Sequence, residues 1–236
     1  MASMRRAVSV NKRLFSTFEN YGAVSKLYDT TRGPVGVDKI QIALRSMYEN
    51  QYAPKDAGNT PLTTFKDFVG ALRILDAGCG TGNYIPSLQD MGARSITGLE
   101  FNPGMLDQCK TKVGGADGVE LVLGSILDLE SKLQPKSFDF VMSNVVMHHL
   151  DDEDSMKNDY ANTRQAIQQC FHSLHGEGST FYISTGFQTA MKAACWEFSH
   201  FPSSQRIIEQ RYHDFEWWED RLLAAGFQHV ERHTIG

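Results

Sequence analysis

Glycine stands at every second position in I-L-D-A-G-C-G-T-G-N-Y, residues 74 to 84, as Gly78, Gly80 and Gly82, with Asp76 just ahead of them. Residues without a Cβ at the end of an apolar run let a ligand approach the backbone and let the chain take φ > 0. A helix starting after such a turn presents free N–H groups that suit a carboxylate or phosphate. A second acid, Glu100, comes 18 residues after Gly82, at the end of S-I-T-G-L-E. A carboxylate placed there can accept hydrogen bonds from both hydroxyls of a ribose. Past the apolar run F-D-F-V-M-S-N stand His148 and His149. Imidazole changes charge near neutral pH, so these two are the candidate catalytic bases.

The spacing separates two cofactor classes. Dinucleotide enzymes carry G-x-G-x-x-G. In this chain the third position of that pattern is Asn83, and only the period of two fits. A nicotinamide oxidoreductase is therefore the weaker enzyme reading. The four cysteines, Cys79, Cys109, Cys170 and Cys195, form no C-x-x-C pair, so no zinc knuckle or redox pair is expected and no metal is assigned. Free thiols in a reducing compartment are the simplest account.

These residues need a scaffold that brings several strand ends together. The segment 37–48 has apolar residues at helical spacing, and 50–61 is polar and reads as a loop. A-L-R-I-L-D-A predicts a buried strand running into the glycines. N-Y-I-P-S-L-Q-D-M predicts a helix closed by Gly92, S-I-T-G-L-E a strand, and P-G-M-L-D-Q-C-K-T-K-V a helix opened by Asn102 and Pro103. V-E-L-V-L-G and F-D-F-V-M-S-N predict strands, 155–175 one long helix, and S-T-F-Y-I-S another strand. Strands alternating with helices predict an α/β fold with a doubly wound, mostly parallel sheet. Residues 21–236 read as one domain, with N-terminal cap helices and residues 186–211 as additions.

The chain has 236 residues, 41% of them hydrophobic and 22% charged, which is ordinary for a globular domain with a full core. Its formal net charge of −5 argues against a broad basic face for nucleic acid. No apolar run approaches the ~20 residues that span a bilayer. Residues 1–20 are a basic lead, with Arg5, Arg6, Lys12 and Arg13 and no acid before Glu19. Such composition reads either as a flexible lead or as a mitochondrial presequence, so a cytoplasmic location is expected and the matrix is the second reading.

D-A-G-C-G-T-G-N-Y, then G-L-E-F-N-P-G-M-L, then F-D-F-V-M-S-N-V-V-M-H-H-L together resemble the class I S-adenosylmethionine-dependent methyltransferases, in their small-molecule branch. The likeness runs from about residue 21 onward and is strongest over 73–150. It implies a Rossmann-like fold and S-adenosyl-L-methionine as cofactor. Gly78, Gly80 and Gly82 would pack on its methionine part. Asp76 would hold the turn and the amino group, and Glu100 would bind the ribose. Phe101 and Met105 would cover the adenine. The family's Gly-Asp-Ala is here Gly124-Ser125-Ile126, so Ser125 and the backbone at Ile126 take the adenine contact without a charge. Asn144 would lie near the reactive methyl. Tyr28 and Arg32, in Y-D-T-T-R-G-P, match a cover segment with Arg32 near the cofactor carboxylate.

The acceptor is implied only as a small molecule methylated on O, N or S. A nucleic-acid enzyme would carry Pro-Pro and an aromatic after strand four, where this chain has Val145-Val146-Met147. A non-catalytic, regulatory cofactor-binding protein stays open as an alternative. Residues 187–218 carry Phe187, Trp196, Phe198, Phe201, Tyr212, Phe215, Trp217 and Trp218. These either line an acceptor pocket or, in F-E-W-W-E-D-R-L-L-A-A-G-F, pack on the sheet as an amphipathic helix. The family's closing strand pair is expected only in part: H-V-E-R-H-T-I, 229–235, supplies one strand, and the last is missing. An edge left open would invite pairing with another chain. Oligomeric state is not legible.

Overall fold

The computed structural model describes residues 29, 33–52, 64–194 and 200–233. The basic lead, Tyr28, Arg32, Cys195, Trp196 and Phe198 lie outside the described residues. Five strands, β1 (Ile74–Ala77), β2 (Ile96–Glu100), β3 (Val119–Leu123), β4 (Phe140–Asn144) and β5 (Thr180–Ser184), form one sheet in the order β3-β2-β1-β4-β5. Every pairing is parallel. The chain moves outward from β1 to β3 and then returns to the other side of β1. The reversal falls between β1 and β4, where open parallel sheets bind ligands beyond their carboxyl ends.

Helices cover both faces. Helices α1 (Val37–Tyr52), α2 (Phe65–Ala71), α3 (Ile85–Asp90) and α4 (Pro103–Val113) pack with Ile74, Ile96, Phe140 and Met142 on one face. On the other, Leu75, Ala77, Leu99 and Val141 meet Ala166, Ile167 and Cys170 of α6 (Ala161–Ser173) and Trp218 of α9 (Phe215–Ala225). Two-sided coverage explains why β1, β2 and β4 read as near-continuous apolar runs and are buried at every position. The edge strands β3 and β5 are mostly half-buried. At the amino ends of the strands, Asp139 closes a staple between β1 and β4. Its N–H donates to Arg73 O at 2.9 Å, and its Oδ2 accepts the Arg73 N–H at 2.8 Å.

Four differences from the sequence reading have local causes. The single helix over 155–175 is two, α5 (Glu153–Lys157) and α6. Asp159 and Tyr160, both at φ 53°, are left-handed and break it. Asp159 holds the break through Arg221 at 3.1 Å and Arg164 at 3.7 Å, while Asp151 Oδ1 accepts the Asn162 N–H at 3.1 Å at the start of α6. Helix α2 was not anticipated. Thr64 caps it, its Oγ1 accepting the Asp67 N–H at 3.2 Å, and Phe68 and Val69 bury into the core. Helix α1 runs on to Tyr52, into the expected loop. The terminal strand over 229–235 does not form within 229–233. That stretch offers a sheet only Val230 among polar residues, and Glu231 pairs instead with His229 at 2.9 Å and His233 at 3.5 Å. The additions after β5 are two helices, α7 (Gln188–Ala194) and α8 (Pro202–Arg211).

Candidate functional site

Strand register sets a row of side chains along the upper rim of the sheet. Asp76 pairs with Gly98 and Met142, and Asn144 pairs with Ser184. One pleat above Asp76, therefore, Glu100, Gly78, Asn144 and Ser184 stand level across four strands, all on the face covered by α1–α4. The row reads carboxylate, bare backbone, amide, hydroxyl.

Gly78 has φ +91°, and a Cβ built there would come within 2.5 Å of Val146 Cγ2. Gly82 has φ +79°, and a Cβ there would meet Cys109 Sγ at 2.6 Å. Both positions exclude a side chain twice over, by dihedral and by space. Leu99 O accepts the N–H of Gly78 at 2.8 Å and of Cys79 at 3.0 Å. Glu100 completes the hold on the turn. Its Oε2 accepts the Gly80 N–H at 3.1 Å and its Oε1 accepts the Asn102 N–H at 2.8 Å. Asn102 in turn caps α4, its Oδ1 accepting from Gly104 N at 2.9 Å and Met105 N at 3.2 Å. A carboxylate has four acceptor sites, so Glu100 keeps acceptor capacity beyond its backbone amides. Burial pushes the Glu100 carboxyl up, and the amides of Asn102, Gly80 and Phe101 oppose that rise.

The turn is thus anchored by Leu99 and Glu100. Asp76 stands beneath it, 1% exposed, with its Oδ2 buried and without a hydrogen-bond partner. Burial, and then the neighbouring Glu100 charge, push its carboxyl up to about 7. Asn144, 7% exposed, has neither Oδ1 nor Nδ2 hydrogen-bonded, and the buried Ser143 Oγ is also unpaired. Buried polar atoms are almost always satisfied. Asp76, Ser143 and Asn144 bring three orphaned groups to the upper ends of β1 and β4, Asp76 and Asn144 on the face covered by α1–α4.

The neighbouring backbone is strained. Val145 has φ +57° and is 43% exposed. A β-branched residue rarely takes that conformation. Its N–H donates to Ser184 O at 2.8 Å, which holds it there.

The remaining sequence-predicted positions divide. Phe101 is half-buried beside the row. Met105 is buried, with its Cε 3.4 Å from where a Cβ on Gly80 would lie, so it props the turn from below. Ser125 Oγ accepts the Leu127 N–H at 3.2 Å and caps the short 3-10 turn Ile126–Ser131. The Ile126 side chain is buried in the second core. His148 is buried on the 3-10 turn Met147–His149, its ring stacked on Tyr212 at 5.0 Å and beside His149 at 3.9 Å. Tyr212 follows α8, so the added helices reach the turn after β4. Gly186 seats them: a Cβ there would lie 3.1 Å from both Met191 and Tyr212.

The α9 aromatics pack rather than line a crevice. Trp218 is in the second core, and Trp217 stacks on His213 at 3.8 Å. Tyr160 meets His213 edge-on at 4.2 Å. Burial, followed by the Arg221 charge, pushes His213 down to about 4. Phe187 and Phe215 meet edge-on at 6.4 Å, and Phe201 is exposed.

Sequence reasoning missed Ser184, which only the β4–β5 register places in the row. It also missed a polar cluster beside the glycine turn. Asp29 accepts a hydrogen bond from Thr81 and pairs with Lys112, which also donates to Asn83. Thr81 sits inside the quoted motif and Asp29 inside Y-D-T-T-R, but a sequence separation of 52 hides the contact. No group of three or more candidate metal ligands occurs among the described residues. No helix there is long and apolar enough to cross a membrane.

Comparison with known proteins fits this geometry. Residues 75–181 match the family model described as a methyltransferase domain. The chain is 27% identical over 120 residues to a malonyl-acyl-carrier-protein O-methyltransferase of Bacillus anthracis, covering 50% of this chain and 39% of that protein. It is 35% identical over 81 residues to an uncharacterised methyltransferase of a Geobacillus strain, covering 34% of this chain and 36% of that one. The chain thus aligns with under half the length of these relatives. Among solved structures, an S-adenosylmethionine-dependent methyltransferase from Mesorhizobium loti superposes with a TM-score of 0.54 at 19% identity, covering 82% of this chain and 84% of that chain. A chain from the Haloferax volcanii complex of the Trm112 methyltransferase activator with a methyltransferase superposes with a TM-score of 0.59 at 18% identity, covering 91% and 78%.

Proposed function

We propose that the chain, whose residues 75–181 match a methyltransferase-domain model, is a class I S-adenosylmethionine-dependent methyltransferase that transfers a methyl group to an O, N or S atom of a small-molecule acceptor. The observation that carries the proposal is the Asn144 amide together with Asp76 Oδ2: buried, unpaired, and beside a glycine turn pinned by Glu100. S-adenosylmethionine supplies a methyl group on a sulfonium, which a nucleophile attacks in line.

The chain's residues bind, orient and exclude water. The free lone pairs of Glu100 take the ribose hydroxyls. The bare backbone of Gly78, Gly80 and Gly82 receives the methionine part. Asp76 and Asn144 take its polar end, and an ammonium there would draw Asp76 into its charged form. Phe101 and the Ser125–Ile126 backbone border the adenine. Tyr28 and Arg32 belong to the same proposal as a cover. With the donor laid from β3 across to β1, the acceptor lies beyond it, at the carboxyl ends of β4 and β5, near Ser184 and the turn on which His148 stacks with Tyr212. His148 or His149 is the base for acceptors that must lose a proton. Oxygen stands first among the three acceptor atoms because one relative is an O-methyltransferase. A reducing compartment suits the buried free thiols of Cys79, Cys109 and Cys170.

Titration calorimetry with S-adenosylmethionine, S-adenosylhomocysteine and NAD tests the proposal. Binding of the first two without NAD is expected, and NAD alone would overturn it. A metabolite extract incubated with radiolabelled donor then reveals the acceptor through the product that takes up label.

A further inference from the structure

Four side chains that the glycine motif does not assign meet on the outer flank of the turn. Thr81, buried between Gly80 and Gly82, donates through Oγ1 to Asp29 Oδ1. Lys112 Nζ, in the last turn of α4, lies 2.6 Å from Asp29 Oδ2 and 3.4 Å from Thr81 Oγ1, and donates to Asn83 Oδ1. Partial burial opposes ionisation of Asp29, but hydrogen bonds from Lys112 and Thr81 and the Lys112 charge outweigh it and hold the carboxyl below its ordinary value. Asp29 lies far ahead of the matched domain in sequence, yet it grips the residue adjacent to Gly80. Gly80 is the residue whose N–H fixes Glu100 Oε2. The path from Asp29 to the ribose-binding carboxylate is thus one hydrogen bond, one peptide unit and a second hydrogen bond.

We propose that Asp29 is a positioning residue for the methyl donor: by holding Thr81 it fixes the left-handed Gly80–Gly82 turn and, through the Gly80 amide, the orientation of Glu100. The inference rests on the reading that this turn and Glu100 bind the donor. Two interactions contribute unequally. The Lys112–Asp29 pair is partly exposed, with side-chain exposures of 28% and 39%, so its Coulomb attraction is largely screened. The bond from the buried Thr81 hydroxyl to a charged acceptor is the stronger of the two. Asp29→Ala removes both. Asp29→Asn keeps an acceptor for Thr81, and Lys112→Met keeps the carboxylate.

Calorimetric titration with S-adenosylmethionine of the full chain and these three variants is the test, together with amide hydrogen exchange of the ligand-free proteins. Asp29→Ala is expected to weaken donor binding about tenfold, and the other two about two- to threefold, from the loss of one charged hydrogen bond against a screened pair. The Gly80 amide should exchange faster in Asp29→Ala while the β4 amides keep their protection. Because Asp29 acts in part through Glu100, adding Asp29→Ala to Glu100→Ala should lower donor affinity by less than Asp29→Ala does alone. Unchanged affinity in Asp29→Ala, an unchanged Gly80 amide, or full additivity with Glu100→Ala each overturns the inference. Should Asp29→Ala fail to fold, unchanged binding in both Asp29→Asn and Lys112→Met overturns it. Absence of donor binding in the unaltered chain removes the methyltransferase reading and this inference with it. Intact wild-type binding with indifferent variants removes this inference alone.

Discussion

The two halves of the rim are built in opposite ways. On the side of β1 and β2 the backbone is unusual but satisfied. Three glycines turn left-handed; the amides of Gly78 and Cys79 go to Leu99 O, those of Gly80 and Asn102 to Glu100, and that of Gly82 to Cys79 O. The unpaired group there is the Asp76 carboxyl beneath the turn. On the side of β4 the strain falls on a valine, and the polar side chains of Ser143 and Asn144 are left unpaired. The first half is preorganised by its own hydrogen bonds, and the second keeps its hydrogen-bonding capacity unspent. A donor that is the same in every turnover suits a finished cradle, and reacting groups that differ between free and bound states suit an unfinished one.

The contrast can be broken most forcefully at Gly78. Gly78→Ala drives a methyl group into Val146 and keeps an L residue at φ +91°. A stability loss of about 2–4 kcal/mol in urea unfolding and loss of measurable donor binding are expected, from overpacking plus left-handed strain. Next in size is Glu100→Ala, which frees the amides of Gly80 and Asn102 and removes the ribose contact we propose for this carboxylate. Donor affinity should fall by ~1–3 kcal/mol in titration calorimetry, and an unchanged value would remove Glu100 from the site.

Asp76 sharpens the comparison through pH. Its carboxyl is raised to about 7 in the folded chain, so the stability it contributes is fully present below the ordinary aspartate value and is lost as pH rises through about 7. A cationic donor end prefers the ionised form, so affinity should rise about tenfold between pH 6 and 8 as ionisation completes. Asp76→Asn should flatten that profile and raise the alkaline thermal midpoint of the free protein. A wild-type profile that is already flat speaks against the contact. The smallest effect is expected at Val145. Val145→Gly relieves φ +57° at an exposed position and should stabilise the chain by roughly 1 kcal/mol, the reverse of the result at Gly78.

How much of this was legible follows from the range of the interactions. The glycine turn, the Asn102 cap and the β–α alternation are local, and I-L-D-A-G-C-G-T-G-N-Y and E-F-N-P-G-M-L carry them in full. The doubly wound parallel sheet followed from the alternation and the resemblance, whereas the strand order and the hold of Glu100 on the Gly80 amide came only with the fold. So did the Asp29–Thr81 contact, because nothing in either short stretch requires the other. The helix break was hidden because Asp159 and Tyr160 leave the helical region under the pull of Arg164 and Arg221, one of them far along the chain. Met105 shows the same limit from the other side: the resemblance puts it beside the turn, and its Cε lies 3.4 Å from where a Cβ on Gly80 would stand, a contact that no short stretch of sequence specifies.

The Asp139 staple ties β1 to β4 at the end of the sheet away from the row, and beside it the His175 N–H donates to Phe138 O at 2.7 Å. With that foot fastened, neither strand can slide along the other. The pairs Ile74–Phe140, Leu75–Val141 and Asp76–Met142 carry that fixed register upward. The height at which Asn144 stands against Gly78 is therefore set from the far end of the sheet, as the teeth of a comb are levelled by its spine.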